Sequence, residues 1–304
     1  MKLNKKLLII GGTGFIGYNL AKKAVKKGWK VFSISTHKPR KKRKINKVKY
    51  IICDISKKKL LEKKIKVNFD YIVNLGGFVD HKNKVKTYNS HFIGSKNLAD
   101  IFLKKSILSF VQIGSGLEYG NSKSPQKENY KCKAHSIKSI YGKSKLLATL
   151  YLTNLFNKRK FPMTVLRLYQ AYGPGQDSNR FIPIVIKGCI NNDKFPCTEG
   201  KQFRDFIHVN DVVDAILKSL ISKNSKGKIF NIGSGKPKQI KKTIIEIKKI
   251  IKSGQPLYGK IKMRKDEMST MYPSIKKAKK LMNWSPKISF VRGIKKTINS
   301  YYGK

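Results

Sequence analysis

Acidic residues are scarce in this 304-residue chain: 16 Asp and Glu stand against 68 Lys and Arg, a formal charge of +52 at pH 7. Arginine is scarce too, supplying eight of those cations. Charge of this size would ordinarily point to nucleic acid or an anionic surface. Nucleic-acid readers, however, rely on arginine for its bidentate fork and its stacking, and the lysines here are spread along the whole chain instead of forming an arm. They read as decoration of solvated faces, so neither nucleic acid nor a membrane is expected as a partner. Long apolar runs are missing as well, and no segment approaches the ~20 uninterrupted residues a membrane span requires. The opening MKLNKKLLIIGGTGFIG imitates a secretion signal but has no small-residue cleavage site, and its apolar run breaks at a glycine-rich turn, so it reads as a buried strand. The four cysteines, Cys53, Cys132, Cys189 and Cys197, show neither CxxC nor metal-ligand spacing, which argues against a disulfide scaffold or a metal centre and fits free thiols in a reducing cytoplasm.

What remains is the composition of a folded globular protein, 40% hydrophobic and 10% aromatic. The apolar runs KLLII (6–10), KVFSIS (30–35), VKYIIC (48–53), YIVNLG (71–76), FVQIGS (110–115) and TVLRLY (164–169) read as buried strands, with helical spacing between several of them, as in 17–27 and 91–104. This alternation predicts an α/β fold: a doubly wound parallel sheet of the Rossmann type, covered by helices on both faces. After Tyr172 the rhythm turns irregular, which predicts a smaller substrate-binding lobe over 173–304. A dinucleotide-binding domain over 1–172 would be joined by about 205–235, where FIHVNDVVDAILKSL reads as a strand fragment entering a helix and KIFNIGSG as a strand ending in glycines.

Ligands of such sheets bind at the carboxyl ends of the strands. The first strand runs directly into Gly11, Gly12, Thr13, Gly14, Phe15, Ile16 and Gly17 and then a helix. Gly11 allows the tight turn, Gly14 lets backbone N–H groups approach a pyrophosphate, and Gly17 permits close helix–strand packing, with the helix N-terminus facing the anion. Binders of NAD usually carry an acidic residue at the end of the second strand. The stretch Ser33 to Arg40 has none, and Arg40 adds a cation suited to the 2′-phosphate, so NADP(H) is the expected cofactor and NAD(H) the alternative. Asp54, after the third strand, reads either as an acceptor for the adenine amino group or as an N-cap.

A tyrosine four residues before a lysine is a known proton-transfer pair. Here it occurs five times, at Tyr18, Tyr119, Tyr141, Tyr258 and Tyr272, so the pattern alone decides nothing. Its neighbours decide. GGTGFIG, CDIS, QIGSGLEYG, YGKSK, LRLYQAYGPGQ, RFIP, RDFIHVNDVV, NIGSG and KKLMNWSP follow one another in an order that resembles the extended short-chain dehydrogenase/reductases, in particular the NAD-dependent epimerase/dehydratase family of sugar-nucleotide enzymes. The resemblance spans the chain. It implies a catalytic triad of Ser115, Tyr141 and Lys145, in which the lysine charge favours the phenolate of a group that otherwise titrates near ~10. It further implies that Phe15, Ile16, Ser35, Ile55, Leu75, Gly76 and Gly77 line the dinucleotide together with the glycine turn, Tyr141 and Lys145. Arg204, Arg264 and Glu267 would hold the diphosphate and ribose of a nucleotide sugar, with a surface ion pair as the other reading of each arginine. Gln170, Arg180 and Phe181 would line the sugar or base pocket, Phe181 alternatively packing in the core. A homodimer is implied as well.

The sequence narrows the reaction by absence. Related 4,6-dehydratases carry an Asp-Glu pair directly after the serine or threonine of the triad. Gly116 and Leu117 stand there, and Glu118, one place on, would be turned away by a strand-like path. Epimerisation or keto reduction at a sugar carbon, C4 in the first instance, is left. The acid-free second strand favours an NADPH-dependent reductase of an NDP-4-keto-6-deoxyhexose, serving a surface polysaccharide and similar in its second half to CDP-abequose synthases. An NAD-dependent NDP-hexose 4-epimerase is the alternative, and a non-catalytic NADP-sensing scaffold the reading from another class. His91, in place of the family's asparagine, and NLGGFVDH, in place of HLAA, depart from the pattern.

Overall fold

A computed structural model describes residues 4–78, 80, 82–263 and 267–303. The first half runs β1 (Lys6–Ile10), α1 (Phe15–Lys26), β2 (Lys30–Ser35), β3 (Val48–Ile52), α2 (Lys58–Lys64), β4 (Tyr71–Asn74), α3 (Lys84–Tyr88), α4 (Gly94–Leu103), β5 (Ser109–Ser115), α5 (Ile140–Arg159) and β6 (Met163–Leu168). The second half runs β7 (Gln170–Tyr172), α6 (Phe181–Ile190), β8 (Lys194–Pro196), β9 (Phe203–His208), α7 (Val209–Ile221), β10 (Lys228–Ile232), β11 (Pro237–Gln239), α8 (Ile240–Ile251), β12 (Gln255–Leu257), β13 (Thr270–Met271), α9 (Lys276–Met282) and α10 (Phe290–Asn299).

Seven strands form one all-parallel sheet in the order β10-β6-β5-β4-β1-β2-β3. Alternate residues of a strand face opposite sides, so a sheet covered twice needs apolar residues at every position. In β1, Leu7 and Ile9 enter one core with α1 and α7, while Leu8 and Ile10 enter the other with α2, α4 and α5. This explains why the strands read as continuous apolar runs. Strand order reverses between β1 and β4, and the crevice at that reversal is where a doubly wound sheet takes its ligand. The chain after β6 builds a second sheet around β9, paired with β7, β11 and β13, and a third core in which α6, α8 and α10 pack around Tyr172 and Phe206. It returns to the first sheet to add α7 and the edge strand β10, and again with α9, whose Ala278 and Met282 join the first core together with Trp284. Among the described residues, no helix is long and apolar enough to cross a membrane.

Candidate active site

At the reversal point the glycine turn is shaped by contact. Gly11 adopts φ +78°, and a Cβ on Gly17 would fall 2.2 Å from the Gly11 carbonyl oxygen, so α1 can start this close to β1 only without a side chain there. Leu75 and Gly76, at the end of β4, lie against Gly11, and the buried Asn74 fixes them by accepting from the Gly76 N–H at 3.0 Å. Ser35, at the end of β2, is buried with no partner for its hydroxyl, and α1 begins without a side-chain cap. A backbone cradle that a Cβ would fill, a helix N-terminus and an unsatisfied hydroxyl fit the pyrophosphate and ribose of a dinucleotide. Asp54 spends one carboxylate oxygen on the Ser56 N–H at 2.8 Å, a local turn, and the helix that follows starts only at Lys58. Ile55 is buried beside it.

The triad residues meet at the ends of β5 and α5. Ser139 caps α5, which puts Tyr141 in its first turn and Lys145 one turn further on the same side. Gly142 lets the helix approach the turn after β5, since a Cβ there would meet the Leu117 carbonyl oxygen at 2.8 Å. The Ser115 hydroxyl lies beside the Tyr141 phenol and favours its ionised form. Lys145 is buried, donates to the Ile113 carbonyl at 2.6 Å, and holds its ammonium 5.9 Å from the centre of the Tyr141 ring. Burial pushes the phenol of Tyr141 up to about 12, against the Ser115 hydroxyl; the charge of Glu118 adds to the rise, and that of Arg180 opposes it. Burial also pulls the Lys145 ammonium down to about 8, opposed by Glu118. Arg180, the residue that precedes α6, is a cation whose charge opposes the rise at Tyr141.

Glu118 is turned away from this cluster, but by another route than a strand. Residues 116–119 form a 3-10 turn in which Glu118 accepts from the Ser115 N–H, from Thr149 Oγ1 and from Arg167 Nε, each at 2.8 Å. Every contact is buried, and both carboxylate oxygens are committed to them.

A cleft of about 760 Å³ opens beside Ser139 and Leu117, lined also by Gln170, Arg204, Glu267 and Met268. Arg204 is buried, pairs with Glu267, and donates to the carbonyls of Met268 at 2.7 Å and Phe203 at 2.6 Å. Three of the sequence candidates for substrate contact therefore share one wall. Phe181 does not line this cleft: its partly buried ring stacks on Phe206 at 5.8 Å, against the third core. Arg264 lies outside the described residues. Arg40 is exposed and paired with Asp177 at 3.3 Å.

Two residues were passed over in the sequence. His91, noted only as a departure, sits in a π-helical turn (89–93), packs edge-on against Tyr141 at 4.9 Å over Gly77, and places Nε2 3.1 Å from the Phe78 carbonyl oxygen. Arg43, three places after Arg40, reaches the glycine turn itself, with Nη1 3.4 Å from the Thr13 carbonyl oxygen. Arginine is scarce in this chain, and Arg43 stands out by that measure as much as Arg40 does.

A parallel sheet with a glycine cradle at its reversal point and a Ser-Tyr-Lys cluster beside it defines a dinucleotide-dependent enzyme of the extended short-chain dehydrogenase/reductase type. Residues 7–233 match the NAD dependent epimerase/dehydratase family, and the chain belongs to it. It is 30% identical to a protein of Methanocaldococcus jannaschii named "Putative UDP-glucose 4-epimerase", over 96% of this chain and 97% of that one. It is 24% identical to the CDP-abequose synthase of Salmonella muenchen, over 98% and 99%. The fold superposes on the Thermotoga maritima UDP-glucose 4-epimerase with UDP-glucose at a TM-score of 0.91, 23% identity, and coverage of 98% and 99%.

Proposed function

We propose that the protein moves hydride and proton at C4 of a nucleotide-linked hexose, as an NADPH-dependent reductase of a 4-keto-6-deoxy sugar that serves a surface polysaccharide. The observation that carries the reading is the loop after β2, which has no acidic residue where a ribose hydroxyl would need one and carries two arginines, of which Arg43 reaches the glycine turn. The likeness to CDP-abequose synthase along the whole chain supports it.

A bound nicotinamide supplies the hydride. Tyr141 holds the proton that the sugar oxygen gains, and Ser115, beside that phenol, accepts or donates at the same oxygen. Lys145 would supply a charged contact beneath Tyr141 for the ribose, released from its bond to Ile113. Arg204 and Glu267 on the cleft wall would take the nucleotide's diphosphate and ribose, the guanidinium exchanging a carboxylate for phosphate oxygens. Glu118 moves no proton, being committed to Arg167, Thr149 and the Ser115 backbone, so the reading excludes dehydration at C5 and C6.

A 4-epimerase is the second reading, favoured by the likeness to the Methanocaldococcus protein. The two separate on one experiment. Purified protein is incubated with NDP-4-keto-6-deoxyhexoses and NADPH or NADH, and its bound dinucleotide is extracted. Stoichiometric NADPH oxidation is expected; tightly bound NAD, with sugar interconversion that needs no added NADPH, would replace reductase by epimerase.

A further inference from the structure

Arg43 carries an argument of its own. It lies in the short turn Lys41–Arg43 after β2, and its side chain is only 12% exposed. Besides Thr13, its guanidinium reaches the loop before α6, donating to the Gly175 carbonyl at 2.8 Å and to Asp177 Oδ1 at 2.9 Å. Arg40 donates to that same oxygen at 3.3 Å. Two guanidiniums from the loop after β2 thus converge on one carboxylate 134 residues away from Arg43, and Arg43 also reaches the glycine turn.

In a doubly wound sheet this corner faces the adenosine ribose, where an acid suits a free 2′-hydroxyl and cations suit a 2′-phosphate. The chain has both, and takes the acid from a different segment. We propose that Asp177 sets the dinucleotide preference by occupying the place of the 2′-phosphate: it holds Arg40 and Arg43 as that phosphate would, and NADP(H) binds by displacing it. The inference rests on the reading that the chain binds a nicotinamide dinucleotide. Displacement is chemically reasonable, because a phosphate offers three charged or strongly accepting oxygens to a guanidinium fork, whereas both arginines here share one carboxylate oxygen. The bonds from Arg43 to Thr13 and Gly175 keep the guanidinium at the corner when Asp177 leaves. With NAD(H), no anion competes, and the Arg43–Asp177 bridge stays closed across the crevice.

The test is the dissociation constant of NADPH and of NADH, read by dinucleotide fluorescence on the intact protein freed of co-purified dinucleotide. Asp177→Asn is expected to tighten NADPH about fivefold, the worth of a partly exposed ion pair, while NADH changes by less than about twofold. Arg43→Gln is expected to weaken NADPH about tenfold or more and NADH much less. Should Asp177→Asn leave NADPH binding unchanged, or shift NADH in parallel, Asp177 is no stand-in and the proposal falls. Should the unmodified protein bind neither dinucleotide, the cofactor reading falls first and takes the proposal with it. Circular dichroism of each variant separates a lost contact from a lost fold, and Asp177→Ser repeats the test if the asparagine does not fold.

Discussion

Two arginine–glutamate pairs flank the Ser115–Tyr141 cluster, and they have opposite characters. Glu118–Arg167 is sealed: both carboxylate oxygens are taken by the Ser115 N–H, Thr149 and Arg167, and the guanidinium lies 4.3 Å from the centre of the Tyr119 ring. Arg204–Glu267 is chemically the same pair, but it lies on the wall of an open cleft. A buried pair whose every partner is fixed cannot exchange without leaving an unpaired charge, whereas a pair at a cleft wall can trade one anion for another. The first holds the Ser115 backbone in place; the second is the pair proposed above to meet the nucleotide.

The sharpest break of this contrast is a group that acts in catalysis and does nothing for stability. Tyr141→Phe should lower kcat by about 10³-fold, within the range for losing a positioned acid–base group, with the urea midpoint unchanged. Glu118→Ala should do the reverse, costing about 3–5 kcal/mol of folding stability in urea titration because Arg167 is left charged and buried. Lys145→Met joins the two effects. Lys145 titrates at about 8 in the folded chain, below the 10.5 of an exposed lysine, so its charge penalises folding below pH 8, and the penalty fades as pH rises from 8 toward 10.5. Its replacement should raise stability at neutral pH by up to about 3 kcal/mol while abolishing turnover. In the unmodified enzyme, kcat/KM should fall as pH rises through about 8, where the ammonium is lost. The smallest change is Glu267→Gln, which keeps an oxygen toward the buried Arg204 and should cost about 1–3 kcal/mol in urea titration while raising KM for the nucleotide sugar severalfold with kcat nearly kept.

Much of the scaffold was legible before the structure. The six apolar runs assigned to the first half are β1 to β6, because burial on both faces leaves no other pattern open to them. The strands around β9 were not read: β7, β11 and β13 are two or three residues long, and only their partners make them strands. At the site, position was legible where a strand end and a helix start fix it, as for Ser115, Tyr141 and Lys145. Contacts between distant segments were not. Nothing local joins Arg43 to Asp177, Arg204 to Glu267, or His91 to Tyr141, and in a chain this rich in lysine any acid has many candidate cations.

The late return of β10 to the first sheet ties synthesis to ligand binding. Until residue 232 has been made, β6 is an open edge and the side of the sheet that α7 covers is bare. The nascent chain therefore carries a glycine turn and a Ser-Tyr-Lys cluster on a half-built platform, with unpaired backbone groups along one border that invite pairing with another chain. A shortened gene that ends after β6, however well it preserves the motifs, would encode a sticky sheet and not a small cofactor-binding module.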